Sequence, residues 1–225
     1  METQRKMLRA AALAGVVGPA VFAALVLVGG ALYDGYSHTG QKISELGGEG
    51  SEVALLQNTN FVLLGVFTLA FAWALARSLG RPYLGPALVG VFGVSAAIAN
   101  GLLPCDIGCY GLTPVSQAHN ITGLLGFLAA IAGMGVLARR WRDDPDWRGH
   151  ARPTMVAVAV AGSGLVWFIA TQVMDRQSLA GVAQRTFVGA LLGWMAVTGW
   201  RLFRQLDRED PRSEVPSDLR VGGSA

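Results

Sequence analysis

The chain reads as an all-α polytopic membrane protein, a bundle of six transmembrane helices with both termini in the cytoplasm. Three observations lead there. Hydrophobic side chains make up 52% of the 225 residues and charged ones only 15%, where a soluble domain is about a quarter charged. The apolar residues fall into six long blocks, and the mean hydropathy is +0.43. The basic residues collect on one side of those blocks. Water-soluble enzymes and disordered partners are excluded. A pI near 9.2 would fit a nucleic-acid binder, but here the basic residues only flank apolar segments. The expected partner is the lipid bilayer, not nucleic acid.

A hydrocarbon core about 30 Å thick needs roughly 20 apolar residues of helix. Segments 10–32, 55–76, 84–103, 120–138, 153–174 and 182–203 meet that need and form one membrane domain, residues 1–205. Their interiors are nearly free of charge, as they must be when a central Arg, Lys or Asp costs about 2.5–3.5 kcal/mol. No alternating ten-residue pattern of a barrel is present. Lipid then leaves the helix as the spanning form, because every backbone polar group must be satisfied internally.

The first span follows Arg5-Lys6, and its apolar run of about 23 residues exceeds the roughly 7–15 of a cleavable leader. Gly18-Pro19 predicts a bend there, and Gly15 with Gly18 a surface for close packing. The second span opens on Asn58 and Asn60. The third closes at Asn100 and is stopped by Pro104, and the fourth opens on His119 and Asn120. Trp141 to Arg152, mixing Trp, Arg and Asp, suits a loop at headgroup level. The fifth span closes on Gln172 and Asp175, and the sixth opens on Gln184 and Arg185. Gly189 to Gly193 is a small-xxx-small pattern, expected to pack inside the bundle. Residues 206–225, charged and with two prolines, cannot build a core and read as a disordered cytoplasmic tail.

Orientation follows from the Lys and Arg count. Fifteen flank the spans on the side of the termini, whereas the other side has only Lys42, Arg176 and Arg185. By the positive-inside rule the termini are cytoplasmic, in an inner, cytoplasmic membrane.

The polar residues of the opposite side differ in kind. Beside those named above stand Asp106 and a first loop with Tyr33, Asp34, Tyr36, Ser37, His38, Gln41, Ser44 and Glu45. Each alone reads as a cap or loop anchor. Together they predict a polar cavity open to the outer side, since polar groups at membrane depth face the bundle interior. Cys105 and Cys109, outside in an oxidising compartment, predict a small disulfide ring that holds Asp106 in a fixed direction, with metal thiolates or free thiols as the alternatives. A metal site has His38, His119, Asp106, Glu45 and Asp175 to draw on, yet no H-x-x-x-H or H-x-H spacing gathers them. A serine nucleophile (Ser37, Ser44 or Ser116) has no G-x-S-x-G turn around it. No metal or cofactor is assigned.

Acid catalysis is the third chemistry. A carboxylic acid in an apolar cavity keeps its proton, because burial disfavours the anion. Delivered to an isoprenoid alkene or epoxide, that proton would make a cation needing aromatic faces. Trp167, Phe168, Phe187 and Trp194 lie within about two turns of the polar level.

The run Ile43-Ser44-Glu45-Leu46-Gly47, the Asn58/Asn60 pair, Pro104-x-Asp106, His119 and Gln184-Arg185 together resemble a six-span bacterial and archaeal family. It is known as domain of unknown function 998. The likeness runs from about residue 10 to 203 and implies architecture alone; the Cys pair is an addition to the pattern. A looser likeness, in size and chemistry only, is to the small integral-membrane terpene cyclases.

The leading expectation is a terpene-cyclase-like membrane enzyme acting on a lipidic, isoprenoid substrate. Asp106 serves as general acid assisted by His119, with Glu45 or Asp34 as second carboxylate. Asn58, Asn60, Asn100, Gln172, Asp175 and Arg185 orient the substrate's polar end, and the four aromatic residues line its chain. One alternative is a non-catalytic lipid or small-molecule binder, transporter or accessory subunit, with Arg185 and Lys42 on an anionic group. Another is a metal-dependent membrane hydrolase, and a further one a plain scaffold whose polar ring only ties the loops together. Substrate and oligomeric state stay open.

Overall fold

In a computed structural model, residues 2–174 and 177–208 are described; Met1, Asp175, Arg176 and residues 209–225 lie outside them. Six helices are long and apolar enough to cross a membrane: α1 (Glu2–Leu32), α2 (Ala54–Leu79), α3 (Leu84–Leu102), α4 (Pro114–Trp141), α5 (Arg148–Val173) and α6 (Ala180–Arg208). No strand occurs among the described residues. The expected spans are all present; α4 is extended most at the end away from the termini, where it starts at Pro114, whereas α1, α5 and α6 gain a turn or more at the end carrying the termini. The polar flanks there continue the helical backbone beyond the apolar core. The expected tail begins later than residue 206, because α6 runs to Arg208 with Leu206 buried. The rest of that tail lies outside the described residues.

Each helix packs on the next in chain order, and α6 returns to α1, so the bundle is a closed ring. At the end bearing the termini, Arg5 donates to the Leu206 carbonyl at 2.7 Å and Arg9 pairs with Asp207 at 2.6 Å. The interior holds Phe71, Leu75, Met134 and Leu202 with no exposure. Helix α1 runs through Pro19 as one continuous helix. Trp141 and Trp147 turn inward rather than onto the surface of the protein. They are buried and stacked, ring centroids 4.7 Å apart, because α5 starts at Arg148 and leaves only a short turn between the helices. Gly189 and Gly193 also differ from expectation: both are exposed, and a Cβ on either would meet nothing within 4 Å. They lie on the outward face of α6.

Helix α3 changes pitch midway. It is α-helical over Leu84–Phe92, π-helical over Gly93–Ala99 and α-helical again to Leu102. Glycines on both neighbours make room for this wider turn. A Cβ at Gly65 of α2 would stand 2.4 Å from Ile98, and one at Gly126 of α4 would stand 2.5 Å from Ala96. Such π segments often mark functional positions, and this one delivers Ala96 and Asn100 to the cavity described below.

Candidate functional site

The first loop is not a solvated connection. Its short 3-10 turn, Ile43–Gly47, folds back into the mouth of the ring with Lys42, Ile43, Ser44, Leu46 and Gly47 buried. Loop backbone inside a bundle must find partners, and polar side chains from the helices supply them. Gln184 Oε1 accepts from the Ile43 N–H, and Asn58 Nδ2 donates to the Gly47 carbonyl at 2.9 Å. Glu45 folds onto its own turn, accepting the Lys42 N–H at 2.8 Å. Arg185 donates to the Gln41 carbonyl, to the Tyr36 hydroxyl and to His38 Nδ1 at 2.9, 2.7 and 3.1 Å. Burial, with the Arg185 charge beside it, lowers His38 below the usual histidine value and keeps it a neutral acceptor.

The loop between α3 and α4 closes over that turn. Cys105 and Cys109 are at disulfide distance, as expected. The Glu49 backbone N–H donates to the Cys105 carbonyl at 2.8 Å, tying the two loops together. Gly108 carries the reversal at φ +75°, where a Cβ would also strike the Tyr110 ring at 2.4 Å. Inside this bend the Asp106 carboxylate accepts four backbone N–H groups. Tyr110 donates at 2.7 Å, Gly111 at 3.3 Å and Thr113 at 3.2 Å, with Leu112 beside them. Burial alone would raise this carboxyl, but the amides, Leu112 foremost, bring it below the usual carboxylate value.

Beneath the loops lies a cavity of about 250 Å³ with a polar end and an apolar end. Lys42, Ser44, Asn100, His119, Asn120, Gln172 and Gln184 line the first. Six of the nine phenylalanines line the second: Phe22, Phe61, Phe92, Phe127, Phe168 and Phe187. Their rings pack edge to face or tilted, Phe127 to Phe187 at 4.7 Å and Phe92 to Phe127 at 5.3 Å, as aromatic quadrupoles prefer. Leu124 of α4 and Ile169 of α5 line the cavity yet are 41% and 42% exposed. The cavity therefore reaches the lipid-facing side of the ring between those two helices.

Lys42 is the charged residue of this lining. It is 3% exposed, its Nζ donates to Gln172 Oε1 at 3.0 Å, and it sits 5.2 Å over the Tyr110 ring. Burial pushes its ammonium below the usual lysine value, with the charges of Glu45 and Asp106 acting in the opposite direction. His119 donates from Nδ1 to the Leu103 carbonyl at 2.7 Å, and Asn100 Oδ1 accepts from Thr122 at 2.8 Å.

Of the four residues expected to be catalytic, only His119 lines the cavity. Asp34 is exposed, Glu45 caps its turn, and Asp106 is saturated by amides. No carboxylate is among the lining residues. Of those expected to bind substrate, Asn100, Gln172, Phe168 and Phe187 do line it. Asn58 and Arg185 hold the first loop, and Asn60 donates to the Phe22 carbonyl at 3.1 Å, joining α1 to α2. Trp167 is 39% exposed and faces outward, whereas Trp194 is buried and donates to Thr154 at 3.1 Å. Asp175 lies outside the described residues. No three His, Cys, Asp or Glu side chains gather as a metal would need among the described residues. Phe22, Phe61, Phe92 and Phe127 were not legible as lining, because a Phe in the middle of an apolar span carries no polar neighbour to mark its face.

No curated protein and no solved structure matches the chain. Residues 16–201 match the family described as protein of unknown function (DUF998). That match runs from the middle of α1 to the closing turns of α6, and the chain accordingly belongs to the DUF998 family.

Proposed function

We propose that this protein is a membrane-embedded binder of one amphiphilic, lipid-like molecule, taken from the bilayer between α4 and α5. The observation that carries the reading is the division of the cavity into a polar end under the loops and a phenylalanine-lined well. Ligand sites have this composition, mostly apolar walls with a few placed polar groups. At about 250 Å³ the space exceeds a benzene-binding cavity of about 150 Å³ and suits a single chain rather than a two-chain phospholipid. From the fifteen-to-three distribution of Lys and Arg, the polar end faces outward and the termini lie in the cytoplasm of a cell bounded by this membrane.

The aromatic well would equally wrap an isoprenoid chain and stabilise a cation on it, which is the observation favouring a cyclase. That reading has its walls without its acid, because Asp106, Glu45 and Asp34 are all committed or exposed away from the cavity. The test is native mass spectrometry of the protein in mild detergent. The expected result is a retained amphiphile, lost in Val188→Phe, which fills the well from α6. Retention by Val188→Phe equal to the native chain, or no retention of any offered amphiphile, would overturn the reading. Turnover of an offered prenyl chain would replace it with the enzymatic one.

A further inference from the structure

Resting on that binding reading, we infer that the cavity selects an anionic headgroup, a carboxylate or phosphate on a single apolar chain, and that Lys42 is the residue that receives it. An ammonium has three donors, and among the described residues only Gln172 Oε1 takes one. The other neighbour is a ring face, that of Tyr110. No carboxylate of the described residues comes within ion-pair distance of it. The two nearest candidates are spoken for: Glu45 accepts the Lys42 backbone N–H, and Asp106 is filled by four amides. A buried cation without an anion is costly, and the residue is 97% removed from solvent while lining a cavity. The cavity supplies no anion of its own. A ligand anion completes the site, with Gln172 and Ser44 beside it as neutral hydrogen-bonding groups.

Arg185, the other cation of this face, is excluded from the role. Its donors are used on Tyr36, His38 and the Gln41 carbonyl, and it is not among the cavity residues. The selectivity therefore rests on one side chain. This makes the inference sharp to test.

The experiment measures binding of dodecanoate, dodecyl phosphate and 1-dodecanol to the full chain in mild detergent, with Lys42→Met and Val188→Phe alongside. A hydrogen bond to a charged group contributes about 1.5–3 kcal/mol, so one or both anions should bind at least about ten-fold tighter than the alcohol. Which anion wins distinguishes an acid-type from a phosphate-type headgroup. In Lys42→Met the anions should fall to the level of the alcohol, while alcohol binding is kept and shows that the cavity is intact. Equal binding of acid and alcohol by the native chain, or preference retained in Lys42→Met, overturns the headgroup inference. Alcohol binding abolished by Val188→Phe would then still support the cavity. Failure of all three probes to bind overturns the cavity reading itself.

Discussion

The two buried charges at the mouth of the ring are held differently: Asp106 by four backbone amides, Lys42 by the single amide oxygen of Gln172. Asp106 sits in the most distinctive motif of the chain, yet its oxygens are consumed by the backbone of its own loop. Its folded value is lowered, so its stabilisation is present above the ordinary carboxylate value near 3.8 and is lost as pH falls through the folded one. Thermal stability in detergent should therefore fall below about pH 4, in the ordinary carboxylate range. Asp106→Ala should unfold earlier at neutral pH, by about 1–3 kcal/mol for amides left without an acceptor, and show less of that acid slope. A native-like melting temperature in Asp106→Ala would remove the anchoring role. Arg185→Lys is the companion case. One ammonium cannot span Tyr36, His38 and the Gln41 carbonyl as the planar fork does, and a loss of about 1–2 kcal/mol is expected. Sequence marks such residues as polar in an apolar chain, but it is blind to which oxygen an amide finds. That is why the polar ring was legible and its division of labour was not.

At the level of elements, hydropathy alone locates all six helices, because a bilayer imposes length and composition on each one separately. Which face a residue occupies depends on neighbours, and there the pattern misleads. The Gly189 to Gly193 spacing matches a packing motif but faces outward, while Gly65 and Gly126, with no motif, admit the π segment of α3. Gly65→Val should displace that segment, cost about 1–3 kcal/mol as overpacking does, and weaken amphiphile binding through Ala96 and Asn100. Gly189→Leu with Gly193→Leu should change neither stability nor binding. Melting curves and probe affinity for the two sets decide the matter, and equal effects would show that the π segment is incidental. The Cys105–Cys109 link acts on the loop in the same manner. Closing so short a loop contributes about 2 kcal/mol in the chain-entropy view, and Cys109 lines the cavity. Reduction should lower both the melting temperature and the affinity for the probes.

For the molecule as a whole, sidedness decides which leaflet feeds the cavity. Among the described residues the positive-inside count rests largely on exposed arginines such as Arg77, Arg81, Arg139, Arg142, Arg148 and Arg152, at the end of the termini, where α1 and α6 are clasped by Arg5 and Arg9. Two of its three exceptions are instructive, the third, Arg176, lying outside the described residues: Lys42 is buried in the cavity and Arg185 is locked into the first loop. Neither is free to anchor at a headgroup layer, so neither weakens the topological signal they seem to oppose by count. A Cys-free background, Cys105→Ser with Cys109→Ser, allows the orientation to be read directly. Asp34→Cys, on the exposed first loop, should react with a membrane-impermeant maleimide in intact cells. Asp143→Cys, in the turn between α4 and α5, should react only after the membrane is opened. The reverse pattern would place Lys42 and the mouth of the well at the cytoplasmic leaflet. The amphiphile would then come from inside the cell, where prenyl and acyl chains are made.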